Sequence, residues 1–108
     1  MLFEAKPELK NIPAILYFIK LYNINEEFYK IGITTKEIAS RIKDIRKYKY
    51  NIISEIKITL YNAFLKERKF LIDFKEYKYK PKLYFGGHTE CFNKEIYNIM
   101  FKPTEDIV

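Results

Sequence analysis

The chain has 108 residues and a formal net charge of +6, from twenty Lys and Arg against fourteen Asp and Glu. Hydrophobic residues make up 48% of it, enough for one core in one domain, which excludes wholesale disorder. Its single cysteine, Cys91, excludes an intramolecular disulfide and a cysteine-based zinc site.

The basic balance fits a polyanionic partner such as nucleic acid. A Lys-rich, Ile-, Tyr- and Phe-rich composition also arises from AT-rich coding DNA, so charge alone leaves both readings open. No apolar run approaches the ~20 residues of a membrane span, and Met1–Pro7 lacks the apolar stretch of a secretory signal. No membrane association is therefore expected. The expected location is cytoplasmic, inside the host cell if the chain is viral.

Residues 1–13 read as a lead-in punctuated by Pro7 and Pro13. Residues 14–22 are β-branched and aromatic and predict a strand. A turn at 23–26 and a second strand at about 27–33 make an antiparallel hairpin. Thr34 and Glu37 fit a capping box, followed by a helix over about 36–47 with Ile38, Ile42 and Ile45 on one face. Residues 51–61 predict a third strand, with Ile52, Ile56, Ile58 and Leu60 at even spacing. Asn62 reads as the cap of a long helix over about 63–77. A turn at 84–87, a short strand near 90–92, a last helix near 94–101 and a tail at 102–108 complete the chain. The order is β-β-α-β-α-(β)-α. It predicts an α+β domain over 14–101, a small and mostly antiparallel three-stranded sheet flanked by helices.

Three local patterns point to chemistry. With Tyr22 opposite Glu27, Ile19 faces Lys30 and Tyr17 lies diagonal to Lys30 on the same side of the sheet, which brings a phenol and an amine together. Arg41 falls within about 60° of the Ile38, Ile42 and Ile45 stripe, where a guanidinium needs an anionic partner. Glu67 points into a cluster of Ala63, Phe64, Phe70, Leu71, Phe74 and Tyr77 on its helix. A carboxylate there either binds a hard cation or pairs with Arg41. Beyond these, the tract Arg41, Lys43, Arg46, Lys47, Tyr48, Lys49, Tyr50 interleaves basic and aromatic residues. It reads either as a nucleic-acid surface or as a solvated helix end.

The segments Ile15-Leu16-Tyr17-Phe18-Ile19-Lys20 and Tyr29-Lys30-Ile31-Gly32, with Arg41, Glu67 and the stretch Gly87-His88-Thr89-Glu90-Cys91-Phe92, resemble the GIY-YIG nuclease superfamily. The likeness is to a phage-associated branch that reads Lys-Ile-Gly in the second motif, and it spans roughly residues 14 to 101. It implies a small sheet flanked by helices and a metal-dependent DNA endonuclease that hydrolyses phosphodiesters with one divalent ion, Mg or Mn. By this likeness Tyr17 and Lys30 stand at the positions of the general base and its partner, Arg41 at the phosphate clamp and Glu67 at the metal ligand. Arg46, Lys47 and Lys49 join Arg41 as expected DNA contacts, and His88 and Glu90 are accessory candidates. Three departures bear on those roles: the first motif has no Gly, Lys30 stands where most members carry Tyr, and Ile45 stands where many carry His or Tyr. A Lys serves as a base only as the neutral amine. The alternatives are a catalytically inactive nucleic-acid-binding module, or a protein-interaction or inhibitor domain on the same fold. A protein partner that supplies specificity is compatible with each.

Overall fold

A computed structural model of the chain describes residues 7–43, 45, 47–83, 85 and 90–100. Four strands, Pro13–Tyr22 (β1), Glu27–Thr34 (β2), Lys49–Thr59 (β3) and Cys91–Phe92 (β4), form one sheet in the order β3-β1-β2-β4. Every pairing is antiparallel. Three helices, Ile38–Ile42 (α1), Leu60–Asp73 (α2) and Glu95–Met100 (α3), join them, with 3-10 turns at Pro7–Asn11 and Lys75–Tyr77. The architecture is the α+β arrangement expected, with the short strand near 91 enlarging the sheet from three strands to four. Among the described residues no helix is long and apolar enough to cross a membrane.

The β1–β2 register follows from the turn between them. The Asn23 side-chain oxygen accepts from the backbone N–H of Asn25 at 2.8 Å and of Glu26 at 3.0 Å, and the Asn23 N–H donates to the Glu26 carbonyl at 3.0 Å. An Asx turn of this kind needs an Asn or Asp at its first position. It sets Tyr22 opposite Glu27, Ile19 opposite Lys30 and Tyr17 opposite Gly32.

β1 is central and buried on both faces, so its apolar residues run almost without interruption and sort by parity. Tyr17, Ile19 and Leu21 pack with Phe28, Ile38, Ile42, Ile45 and Tyr48 on one face. Leu16 and Phe18 pack with Tyr29, Ile31, Ala63, Phe92 and Ile96 on the other, where the half-buried Phe70, Leu71 and Phe74 of α2 join them. The hairpin is thus clamped between α1 on one side and α2 with α3 on the other.

Local structure departs from expectation at three points. The helix expected over 36–47 is only Ile38–Ile42. The Ile45 N–H bonds back three residues to Ile42, and Ile45 and Tyr48 enter the same core as Ile38 and Ile42. The capping box does not form: the cap residue is Glu37, and the Thr34 hydroxyl accepts instead from the Lys36 N–H at 3.0 Å. In β3, Phe18 faces Ser54 whereas Ile19 faces Ile52, so Ile53 is an extra, bulged residue. The bulge breaks the even spacing of Ile52 with Ile56 and Ile58, and Leu60 leaves the strand to open α2. The α2 cap is Thr59, not Asn62; its hydroxyl accepts from the Asn62 N–H at 3.3 Å.

Candidate active site

The hairpin places Tyr17 and Lys30 side by side, and both are only 1% exposed. The Lys30 Nζ lies 5.5 Å from the centre of the Tyr17 ring and donates to the Ile31 carbonyl at 3.2 Å. Burial without a full counter-charge pushes the Lys30 pKa down, and it drives the Tyr17 phenol up to about 12. Gly32 makes the arrangement possible. A Cβ on Gly32 would overlap the Tyr17 Cζ and Oη and stand 2.9 Å from Cε1, so the phenol fills the space that any other residue would occupy.

Glu67 lies on the stripe of α2 that carries Ala63, Phe70 and Leu71 toward the sheet, and it is half-buried. Its carboxyl is hydrogen-bonded to that of Glu90, which immediately precedes β4. Burial first, and then the neighbouring Glu90, raise Glu67 to about 8, against the opposing pull of Lys30 and Arg41. Two carboxyls in contact cannot both be ionised cheaply, which favours the protonated form of Glu67. The resemblance made Glu90 an accessory candidate, and the structure sets it directly against Glu67. A buried Glu67–Arg41 ion pair, the alternative left open by the helix pattern, is not what forms, because the hydrogen-bond partner of Glu67 is Glu90.

Arg41 is exposed, contrary to the expectation that the stripe would bury it. The five-residue α1 tips it outward, and from the surface it acts through space on Tyr17, Lys30 and Glu67. Tyr17, Lys30, Arg41, Glu67 and Glu90 therefore lie within electrostatic reach of one another, at graded depth. Phenol and amine are fully buried, the carboxyls are half-buried, and the guanidinium is exposed. Lys47 and Lys49 sit elsewhere. They line a cleft with Tyr22, Asn23 and Tyr48 at the turn end of the hairpin, away from the end where Arg41 borders Thr34 and Thr35. Arg46 and His88 lie outside the described residues.

Among the described residues a cation here would meet oxygen donors. Cys91 is buried in the Tyr17 face of the core and its thiol is pushed up to about 12 by burial, so it offers no thiolate. Among the described residues no three or more His, Cys, Asp or Glu gather in one place. Two carboxylates with the remaining positions left to water suit Mg or Mn, which favour carboxylate oxygen; Mg in particular commonly keeps several waters. The residues present fit such an ion, which would take the place of the proton on Glu67.

A second cluster went unseen in the sequence. The Glu26 carboxylate accepts from the Tyr48 hydroxyl, from the Tyr79 hydroxyl at 2.6 Å and from the Lys82 N–H at 3.2 Å. Burial works to raise the Glu26 pKa, but these donors outweigh it and the net shift is downward. The Tyr79 phenol, desolvated and donating to Glu26, rises to about 12. Glu26 thereby ties the hairpin turn to the segment that leads toward β4 and Glu90. Two adjacent Glu in the sequence carry no signal of this, because all three partners are distant in the chain.

The model of the T5orf172 domain family matches residues 14–105, and the chain belongs to that family. It is a phage-associated domain related to nuclease-type folds, which fits a nuclease-like or nucleic-acid-binding role. No curated protein and no solved structure matches the chain.

Proposed function

We propose that the chain is a metal-dependent DNA endonuclease, and the observation that carries this reading is the Glu67–Glu90 carboxyl pair within electrostatic reach of Tyr17, Lys30 and Arg41. Glu67 and Glu90 hold one Mg or Mn ion. When bound, the ion supplies a Lewis acid that stabilises the leaving oxygen and the charge growing on the phosphoryl group. The exposed Arg41 neutralises a non-bridging oxygen of the scissile phosphate. Lys30 is the better proton acceptor of the two candidates, since burial drives its pKa down while that of Tyr17 rises to about 12. Tyr17, locked against Gly32, orients the attacking water as a neutral hydroxyl.

The test is plasmid nicking with Mg, with Mn and with chelator, using the parent and Glu67→Gln. Metal-dependent nicking lost in Glu67→Gln supports the reading. A parent that binds DNA but never nicks it with either ion defeats it. That result leaves a nucleic-acid-binding module, a reading also supported by Lys36, Arg41 and Lys43 gathering in one cleft independently of the carboxyls.

A further inference from the structure

We propose that the cleft between the end of β2, α1 and the start of α2 binds a nucleic-acid phosphodiester, the neighbour of the one gripped by Arg41; this rests on the nucleic-acid reading above. The cleft holds about 520 Å³ and its polar lining is Thr34, Thr35, Lys36, Ser40, Arg41 and Lys43, over a floor of Ile33 and Leu60. Among the described residues no carboxylate lines it. Three cations and three hydroxyls around one concavity are the complement of a tetrahedral anion.

Two other lysines meet carboxylates: Lys20 meets Glu27 at 3.5 Å and Lys69 meets Asp73 at 2.9 Å. Among the described residues Lys36 and Lys43 have no such partner, and their proximity to Arg41 is repulsive until an anion enters. The turn before α1 is fixed for the purpose. The buried Thr34 accepts from the Lys36 N–H, which starts the Lys36 side chain at the rim of the cleft. Arg41 belongs to both places, since it lines the cleft and acts through space on Tyr17, Lys30 and Glu67. A ligand in the cleft is thus contiguous with one at the carboxyl pair, as successive phosphates of one strand are. An isolated anion would make no use of that continuity.

The experiment measures duplex affinity against salt for the parent, for the double variant Lys36→Ala/Lys43→Ala, and for Lys57→Ala/Lys80→Ala, which removes the same charge from exposed positions outside the cleft. One lost phosphate contact should lower the slope of log affinity against log salt by about 0.9 in the first pair and leave it unchanged in the second. Circular dichroism melts confirm that both pairs fold. An unchanged slope in the first pair, or an equal loss in both, overturns the proposal. So does loss of inorganic phosphate binding in the first pair with an unaltered DNA slope, because the cleft would then serve a free anion. The two readings separate cleanly. A parent that nicks DNA while the first pair keeps its slope defeats the cleft alone, and a parent that shows the slope change but never nicks defeats the endonuclease alone. A parent that does not bind DNA defeats both.

Discussion

The phenol of Tyr17 occupies the volume that a Cβ on Gly32 would need, across the β1–β2 pairing that sets the two residues opposite each other. Tyr17 is buried and cannot swing aside. Gly32→Ala should therefore destabilise the fold by about 1–3 kcal/mol, the usual cost of overpacking, and displace the phenol from the site. In a Tyr17→Ala background the same change should cost little. Denaturant melts of the four proteins in this cycle check the coupling, and additive effects would show that the ring and the glycine do not contend for one space.

Glu67→Gln keeps the shape of the side chain and can donate an amide N–H to Glu90. Melting temperature should hold or rise, since a costly carboxyl is gone from a half-buried position. Nicking should fall at least about 100-fold, because ion-assisted stabilisation amounts to several kcal/mol and each ~1.4 kcal/mol is a factor of ten. A large fall in melting temperature with nicking retained would make Glu67 structural.

Lys30→Met fills the same space without a charge. Among the described residues the buried Lys30 amine bonds to the Ile31 carbonyl and lies over the Tyr17 ring, and burial disfavours its charge, so replacing it should hold stability or raise it by about 1 kcal/mol. Nicking should drop roughly 10²- to 10⁴-fold if Lys30 accepts the proton. Single-turnover kinetics beside thermal melts read the two effects separately; full activity in the variant would transfer the base to another group.

Glu26→Gln tests the second cluster through pH. The folded-state pKa of Glu26 lies below its ordinary value of 4.5. Its stabilisation is therefore fully present above that value and is lost as pH falls through the depressed one. At neutral pH the variant should be less stable by about 1–2 kcal/mol, the worth of charge-assisted hydrogen bonds. That gap should close as both proteins are taken to progressively lower pH below 4.5. A gap that stays constant down to pH 3 would mean the carboxylate charge contributes nothing.

The hairpin was legible because two signals agree. Asn23 closes the turn, and the alternation in β1 fixes which residues face which layer; Tyr17, Gly32 and Lys30 follow from that register alone. Glu67 was legible as a conflict, a carboxyl on an apolar stripe. Its partner was not, since Glu90 is distant from Glu67 in the chain and no local pattern links the two, and only the resemblance singled it out. α1 misled because Ile45 keeps helical spacing while the chain has already left the helix. Tyr48, three residues on, is held by Glu26 from the hairpin turn, a tertiary bond that periodicity cannot register. β3 misled for a similar reason: one bulged residue, Ile53, changes which faces Ile52 and Ile56 meet.

β4 is two residues long and meets β2 only at Tyr29 and Lys30, about sixty positions earlier in the chain. It is also the element that delivers Glu90 to Glu67. Of the groups around the site, the second carboxyl is thus the last to be synthesised and depends on the most distant loop closure, whose entropy must be met before its contacts form. A chain folded only through α2 would carry the phenol, the amine, the guanidinium and one carboxyl, yet lack the second oxygen donor. On the proposed endonuclease reading, cleavage would then await β4, while the cleft around Lys36, Arg41 and Lys43 would already be complete.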